Sequence, residues 1–265
     1  MTISFQGTLH LSINIAESYD HYFASRLYDQ RYPRANPSCL ALIMDEIRQQ
    51  GTRVLDFGCG NGRYTAPLLQ HTEATLVAYD ISPEAIRTLS QRQAPHLASG
   101  RLQPIIGDLT ALREMTESSE RFALILMMFG VLGHIFPQML RQETLATVRN
   151  LLQPGGRLII TVPNARRRFL KEQTAARQRG LEPGDILYRR RTPDQTINMY
   201  YHLYTLMEFQ QELEQAGFRL VRLRAESVLP ESGVVRSATL GWLDRMLIAI
   251  MPLRYAYGFL AVVQR

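Results

Sequence analysis

From about residue 40 onward, short apolar runs alternate with longer stretches whose apolar residues recur at helical spacing, an order that predicts β-α-β units and a parallel sheet. Residues 53–57, 75–79, 103–106, 122–128 and 157–162 are the expected strands. Their hydrophobicity is nearly continuous, so helices should cover both faces of the sheet. Between strands the helix signals are specific: Ser82 suits a cap, Pro83 the first helical position and Glu84 the positive helix terminus, with Ile86 and Leu89 turned inward. Leu140, Leu145, Val148 and Leu151 recur at helical spacing until Gln153-Pro154-Gly155-Gly156 ends that helix and turns into the fifth strand. Thr205 with Glu208 forms a capping box, Phe209, Leu213 and Ala216 line one face, and Gly217 supplies the stop. Residues 218–223 then predict a sixth strand and 258–263 a seventh, separated by an excursion over 226–257 with its own helix around 242–250. The pattern predicts a doubly wound α/β fold: a mostly parallel seven-stranded sheet with helices on both faces.

Ahead of this core, Phe5, Leu9, Leu11, Ile13 and Ile15 alternate with polar residues, which suggests a leading strand or arm. Residues 16–33, rich in Tyr and Asp, read as a helical lid on the rim. The expected organisation is an arm and lid over 1–40 and one domain over 41–265, interrupted by an insertion at 164–204. A length of 265 residues with 46% hydrophobic composition is enough for one large core. The first fifteen residues lack a basic start followed by an apolar run, so they do not read as a secretory signal. Residues 243–263 are apolar on average, but Asp244, Arg245, Pro252 and Arg254 break them up, well short of the roughly 20 apolar residues of a spanning helix. Two cysteines, Cys39 and Cys59, are too few for a disulfide framework in a domain this size, and a reducing cytoplasm fits best. The six histidines are dispersed and no His/Cys pair has metal-ligand spacing.

Charge changes the picture in one place. The formal net charge of +6 suggests an acidic partner, and the excess is local. Residues 164–200 hold Arg166, Arg167, Arg168, Lys171, Arg177, Arg179, Arg189, Arg190 and Arg191 against Glu172, Glu182, Asp185 and Asp194. Such a segment either recruits an anion, with salt-dependent affinity, or is a solvated basic loop.

The most informative chemistry is Val54-Leu55-Asp56-Phe57-Gly58-Cys59-Gly60-Asn61-Gly62-Arg63, an apolar strand ending in a carboxylate and alternating glycines before a helix. Glycines permit the tight turn and let a ligand approach backbone N–H groups closely. A nicotinamide dinucleotide fingerprint needs a glycine where Arg63 stands. Asp56 also places negative charge where a pyrophosphate would sit, whereas a ligand with an ammonium group would welcome it. Asp80 ends the second strand, where a carboxylate can accept hydrogen bonds from both ribose hydroxyls, and Asp108 ends the third, within reach of an exocyclic amine. Three acids at successive strand ends mark the edge at which open α/β sheets bind ligands.

These residues resemble the class I S-adenosylmethionine-dependent methyltransferases, whose glycine turn looks like residues 56–62, and the likeness continues through Asp80, Gly107-Asp108, residues 122–130 and 152–156. The resemblance implies a Rossmann-like fold and S-adenosyl-L-methionine as cofactor. It implies that Gly58, Cys59, Gly60 and Gly62 line the methionine moiety and Asp56 faces its end. Asp80 with Ile81 would hold the ribose, Asp108 with Leu109 would flank the adenine, and Tyr28 would close as a lid. Phe129 would complete the cofactor site at the end of the fourth strand.

Methyl transfer needs an attacking atom in line with the S–CH3 bond, so positioning and desolvation do much of the work and a base is optional. The acceptor should lie over the end of the fourth strand, where Phe129-Gly130-Val131-Leu132-Gly133-His134 begins the next loop. His134 is the candidate general base, or else its ring caps the following helix. Tyr22, Tyr28 and Arg31 could close over the cofactor, or form a solvated aromatic helix face. Arg166, Arg167, Arg168, Tyr201 and His202 are the candidate acceptor contacts. Tyr200-Tyr201-His202-Leu203-Tyr204 resembles a short pattern in methyltransferases of the tRNA wobble uridine, although Met199 stands where that group carries Arg. An anionic or amphiphilic small-molecule acceptor is the first expectation and a tRNA wobble uridine the alternative. Two other readings are a nicotinamide oxidoreductase and a non-catalytic nucleotide- or RNA-binding module on the same fold.

Overall fold

In a computed structural model, which describes residues 2–5, 11–117, 120–192 and 195–265, the chain begins with β1 (Thr2–Phe5) and β2 (Leu11–Asn14), then α1 (Ile15–Ala24), α2 (Leu27–Arg31) and α3 (Pro37–Gln50). The alternating core follows: β3 (Arg53–Phe57), α4 (Thr65–His71), β4 (Thr75–Asp80), α5 (Pro83–Arg92), α6 (Ala94–Ala98), β5 (Leu102–Ile106), α7 (Leu109–Thr116), β6 (Phe122–Met127), α8 (Gln138–Leu151) and β7 (Leu152–Pro163). The insertion contributes α9 (Leu170–Gln178) and a hairpin of β8 (Asp185–Arg191) and β9 (Thr196–His202). The chain closes with α10 (Leu206–Gln215), β10 (Arg219–Ser227), α11 (Glu231–Val234), α12 (Ala238–Ile250) and β11 (Gly258–Gln264).

The seven expected strands form one sheet in the order β10-β11-β7-β6-β3-β4-β5. Six run in one direction, and β11 alone runs antiparallel, between β7 and β10. Successive residues of each strand enter opposite cores. Leu55, Val77, Ile125 and Ile160 pack on one side of the sheet, while Val54, Leu76, Ala78, Leu124, Leu126 and Ile159 pack on the other. This two-sided burial is why the strands read as unbroken apolar runs.

The expected caps are present: the Ser82 hydroxyl accepts from the Ala85 amide, and Thr205 with Glu208 makes the reciprocal box of α10. Three elements differ from expectation. The leading arm is an antiparallel hairpin of β1 and β2, and Ile15 opens a helix; Leu9 lies outside the described residues. The turn at 153–156 is looped out of β7, because Phe122 pairs with Leu152 and Leu124 already with Arg157. The insertion is folded, its hairpin buried on one face against the lid in a third core that includes Tyr22, Tyr28, Tyr32, Ile186, Tyr188, Met199 and Tyr201. The Tyr-rich lid and the basic insertion, far apart in sequence, therefore share one packed body above the sheet's carboxyl edge.

Candidate active site

The glycine turn is fastened to the neighbouring strand, since the Gly58 and Cys59 amides both donate to the Tyr79 carbonyl at 2.8 and 3.0 Å. The Gly60 amide donates to Asp80 Oδ2 at 2.7 Å and the Ser82 amide to Asp80 Oδ1 at 2.9 Å, so the strand-end carboxylate is aimed by backbone on both sides. Burial pushes the Asp80 carboxyl up to about 6, against the pull of those backbone amides. Gly60 has φ +54°, and a Cβ there would sit 2.9 Å from Cζ of Phe23. Glycine at this position thus serves the left-handed turn and leaves room for the lid's phenyl ring.

A cleft of about 650 Å³ runs along the carboxyl edge of the sheet. Gly58, Gly60, Asp80, Ile81, Asp108 and Leu109 line its floor, and Met128, Phe129, Val131 and His134 its end. Tyr19, Tyr22, Phe23, Tyr28 and Tyr32 bring the lid over it, and Arg168, Tyr188, Arg190 and Tyr201 form the wall contributed by the insertion. Asp108 also caps α7, its Oδ1 accepting from the Thr110 and Ala111 amides at 2.9 and 3.1 Å.

The lid is latched at two points. Asp20 Oδ1 accepts from the Ser82 hydroxyl at 2.9 Å and the Glu84 amide at 2.8 Å, joining α1 to the start of α5. Asp29 pairs with Arg92 at 2.6 Å and accepts from the Asn61 amide group, joining α2 to the glycine turn. Tyr28 stands edge-on to Phe129 with ring centroids 6.2 Å apart, so lid and strand-end loop meet through aromatic packing.

At the far end, the His134 Nδ1 lies 2.9 Å from the Tyr200 carbonyl, and the ring stacks on Tyr201. A carbonyl can only accept, so Nδ1 carries the proton and Nε2 is left as an acceptor. The helix-capping alternative for His134 does not apply: its partner is in β9. Burial lowers its pKa to about 3. Arg168 packs against Phe169, Tyr201 and Tyr257 at 5.4, 5.5 and 4.8 Å, and its Nε is buried without a hydrogen-bond partner among the described residues.

Several expected contacts lie away from the cleft. Asp56 is buried beneath the turn, where Oδ2 accepts from the Thr65 hydroxyl at 2.7 Å, so it braces α4 and does not line the cleft. Cys59 is likewise buried behind the turn, and Gly62 packs toward Leu89 of α5. The arginine triplet is split. Arg166 and Arg167 are exposed, Arg167 donating to the Tyr255 carbonyl, and only Arg168 faces the cleft. His202 is also off the cleft: Nδ1 meets Asp185 at 2.6 Å and Nε2 meets Glu208 at 2.8 Å. Residues 200–204, the tRNA-like pattern, are all buried: Tyr200 bonds Asp185 across the insertion's hairpin at 2.7 Å, and Tyr204 ties the insertion to α10 through Glu212 at 3.0 Å. Arg31 binds the Tyr32 hydroxyl at 3.0 Å and does not line the cleft. Arg63, where a dinucleotide turn would have glycine, is buried in a 2.6 Å ion pair with Glu231.

Residue-by-residue reading missed Phe23, Tyr188, Arg190 and Gly130. Phe23 follows Tyr19 at helical spacing, a signal that was present in the lid. Tyr188 and Arg190 alternate along β8 on its cleft-facing side, which needed the hairpin register to be seen. Gly130 has φ +74° and lies directly against the Tyr201 hydroxyl, so no side chain fits there.

The chain matches the family model described as a methyltransferase domain over residues 22–223 and belongs to that family. The expected resemblance and the Rossmann-like fold are thereby borne out. Solved structures agree in fold. An S-adenosylmethionine-dependent methyltransferase of Methanosarcina mazei is 19% identical with a TM-score of 0.62, over 88% of this chain and 98% of that one. One from Clostridium acetobutylicum is 13% identical with a TM-score of 0.60, over 92% and 98%. The 1,6-didemethyltoxoflavin-N1-methyltransferase of Burkholderia thailandensis, solved with 1,6-didemethyltoxoflavin and S-adenosylhomocysteine bound, is 20% identical with a TM-score of 0.56, over 100% and 94%. No curated protein matches the chain in sequence.

Proposed function

We propose that this chain transfers a methyl group from S-adenosylmethionine to an anionic or amphiphilic small molecule, with the lid and the 164–204 insertion acting as its substrate cap. The observation that carries the acceptor half is Arg168, a cleft-lining guanidinium boxed by aromatic rings, with a buried Nε that no group among the described residues accepts from. Such a donor favours an anionic group brought by the ligand.

The cofactor half rests on the turn and the strand ends. Gly58 and Gly60 take positive φ in the turn that lines the cleft where the methionine moiety would lie, Asp80 is set to accept from ribose hydroxyls, and Asp108 with Leu109 lines the cleft where adenine would lie. Asp56 is assigned no direct contact, because its carboxylate is taken by Thr65. When bound, the cofactor supplies an electrophilic sulfonium methyl.

The chain's own residues then position the acceptor and exclude water. The stacked rings of Tyr201 and His134 line the cleft as an aromatic contact for the acceptor, and His134 Nε2 accepts a hydrogen bond from an acceptor hydroxyl or amine. With a pKa near 3, His134 orients that group and is a poor store for its proton. The test is incubation of purified protein and methyl-labelled cofactor with a cell extract, with and without RNase. Label in a small, RNase-resistant anionic product is expected; label on an RNase-sensitive polymer rejects the acceptor assignment.

A further inference from the structure

The excursion between β10 and β11 carries a helix that is apolar on both sides: Leu247, Ile248 and Met251 pack on the core, yet large apolar side chains also face outward. In α12 the charged residue Asp244 is fully buried, its Oδ1 accepting from the Val228 and Leu229 amides at 2.8 and 2.7 Å. The outward face is apolar. Trp242 is 62% exposed, Met246 51% and Ile250 73%, with Leu243 and Ala249 beside them at the spacing that places residues on one helix face. Tyr255, also exposed, follows in the next turn. An ordinary surface helix presents polar residues on its outer face, and an apolar outer patch of this kind marks an interaction site.

The surrounding charge says what covers it. Residues 219–265 contain seven arginines and three acids, and all three acids, Glu226, Glu231 and Asp244, are buried. The side chains at the surface of this segment are therefore charged in one sense only: Arg219, Arg222, Arg236, Arg245 and Arg254 are exposed, with Arg245 in α12 itself and Arg236 and Arg254 shortly before and after it in the chain. Apolar anchors including an aromatic pair, flanked in the chain by exposed arginines in a segment whose acids are all buried, match the depth profile of a lipid interface: acyl chains under the apolar side chains, anionic headgroups against the guanidinium groups. A second copy of this chain would bring the same positive charge to the contact.

We infer that α12 and the turn after it form a peripheral docking surface for anionic membranes, lying in the plane of the headgroups; no helix among the described residues is long and apolar enough to cross the bilayer. Arg167 of the insertion binds the Tyr255 carbonyl and Arg168 packs on Tyr257, so the docking segment and the wall of the cleft are continuous.

Trp242 is the only tryptophan in the chain, which makes the native protein its own probe. The full chain is mixed with vesicles of phosphatidylcholine alone or of phosphatidylcholine with phosphatidylglycerol, and tryptophan emission and co-sedimentation are read. A blue shift and sedimentation with the anionic vesicles only are expected. Replacing Met246 and Ile250 together by Glu should abolish both while the melting temperature stays unchanged, since both side chains are exposed. Arg236, Arg245 and Arg254 replaced together by Gln should weaken partition on the order of a hundredfold. Failure of the native chain to bind anionic vesicles overturns the inference. So does a blue shift without lipid that grows with protein concentration, which would assign the face to a second copy.

Discussion

The imidazole of His134 lies face to face with the phenol ring of Tyr201, centroids 4.0 Å apart and planes 3° from parallel, while its Nδ1–H is held by the carbonyl of Tyr200. A residue from the loop after β6 is thus locked by two successive residues of the insertion. The consequence is a fixed tautomer. Because burial lowers the pKa to about 3, the native ring stays neutral where an unfolded chain binds a proton, so its contribution to stability declines as pH falls below about 6.5. Turnover should show no histidine limb between about pH 5 and 8 that is lost in His134→Gln. A limb that disappears in that variant would restore His134 as a titrating base.

Asp80 behaves in the opposite sense. Its carboxyl, ordinarily near 3.8, is raised to about 6, so free-protein stability from this group is fullest below 3.8 and is lost as pH rises through 6. Ribose binding needs the ionised form. Affinity for S-adenosylhomocysteine should therefore weaken as pH falls through 6, and Asp80→Asn should flatten that dependence. At neutral pH Asp80→Ala should lose about 2 kcal/mol or more of binding. Calorimetry across pH checks both, and unchanged affinity in folded Asp80→Ala removes the residue from the cofactor site.

Gly60→Ala tests the closed lid. The added methyl group occupies a left-handed position costing about 1 kcal/mol and presses on the tip of Phe23. The sheet should survive with a slightly lower melting temperature, but the lid should open, seen as faster proteolysis within residues 15–33 and faster release of S-adenosylhomocysteine. Wild-type release rates would show that Phe23 simply moves aside.

His202 holds the insertion in place. Burial opposes its charge, yet hydrogen bonds to Asp185 and Glu208 raise its pKa overall, so its stabilisation is complete below about 6.5 and fades as pH rises through the raised value. His202→Ala leaves two carboxylates facing a buried gap and should destabilise by about 3 kcal/mol. The gap between the thermal melts of mutant and wild type should narrow as pH rises above that value, as the charge-linked part of the stabilisation is lost.

The framework of the molecule was legible because its signals are local. Continuous apolar strands, Ser82, Pro83 and the Thr205–Glu208 box each act within a few residues, and each lies where expected. Strand-end acids were legible as a set, but not their facing: Asp56 and Asp80 look alike in sequence, and only the Thr65 hydroxyl nine residues on turns Asp56 away. The insertion was opaque for the same reason. Whether an arginine faces the cleft or water depends on the register of β8 with β9 and on contacts such as Arg167 with Tyr255, 88 residues apart. His202 reads as a functional histidine until its two carboxylate partners are seen.

That split among the arginines gives the acceptor prediction its form. A charged patch acts as a unit only if its members share a face, and Arg166, Arg167 and Arg168 do not. Arg168→Gln removes the one cation of the three that lines the cleft while keeping some length and hydrogen bonding. It should raise the acceptor KM about tenfold or more, the loss of a charge-assisted hydrogen bond, with cofactor affinity nearly unchanged. Arg166→Ala with Arg167→Ala should change KM by less than about twofold, as for exposed charges screened by solvent. Salt then measures the size of the acceptor: one anionic group at Arg168 predicts a modest rise in KM between about 50 and 200 mM salt, whereas a polyanion spanning several arginines predicts a steep one. If the exposed pair matters as much as Arg168 and the salt dependence is steep, the acceptor is a polymer lying across the insertion and the small-molecule assignment is wrong.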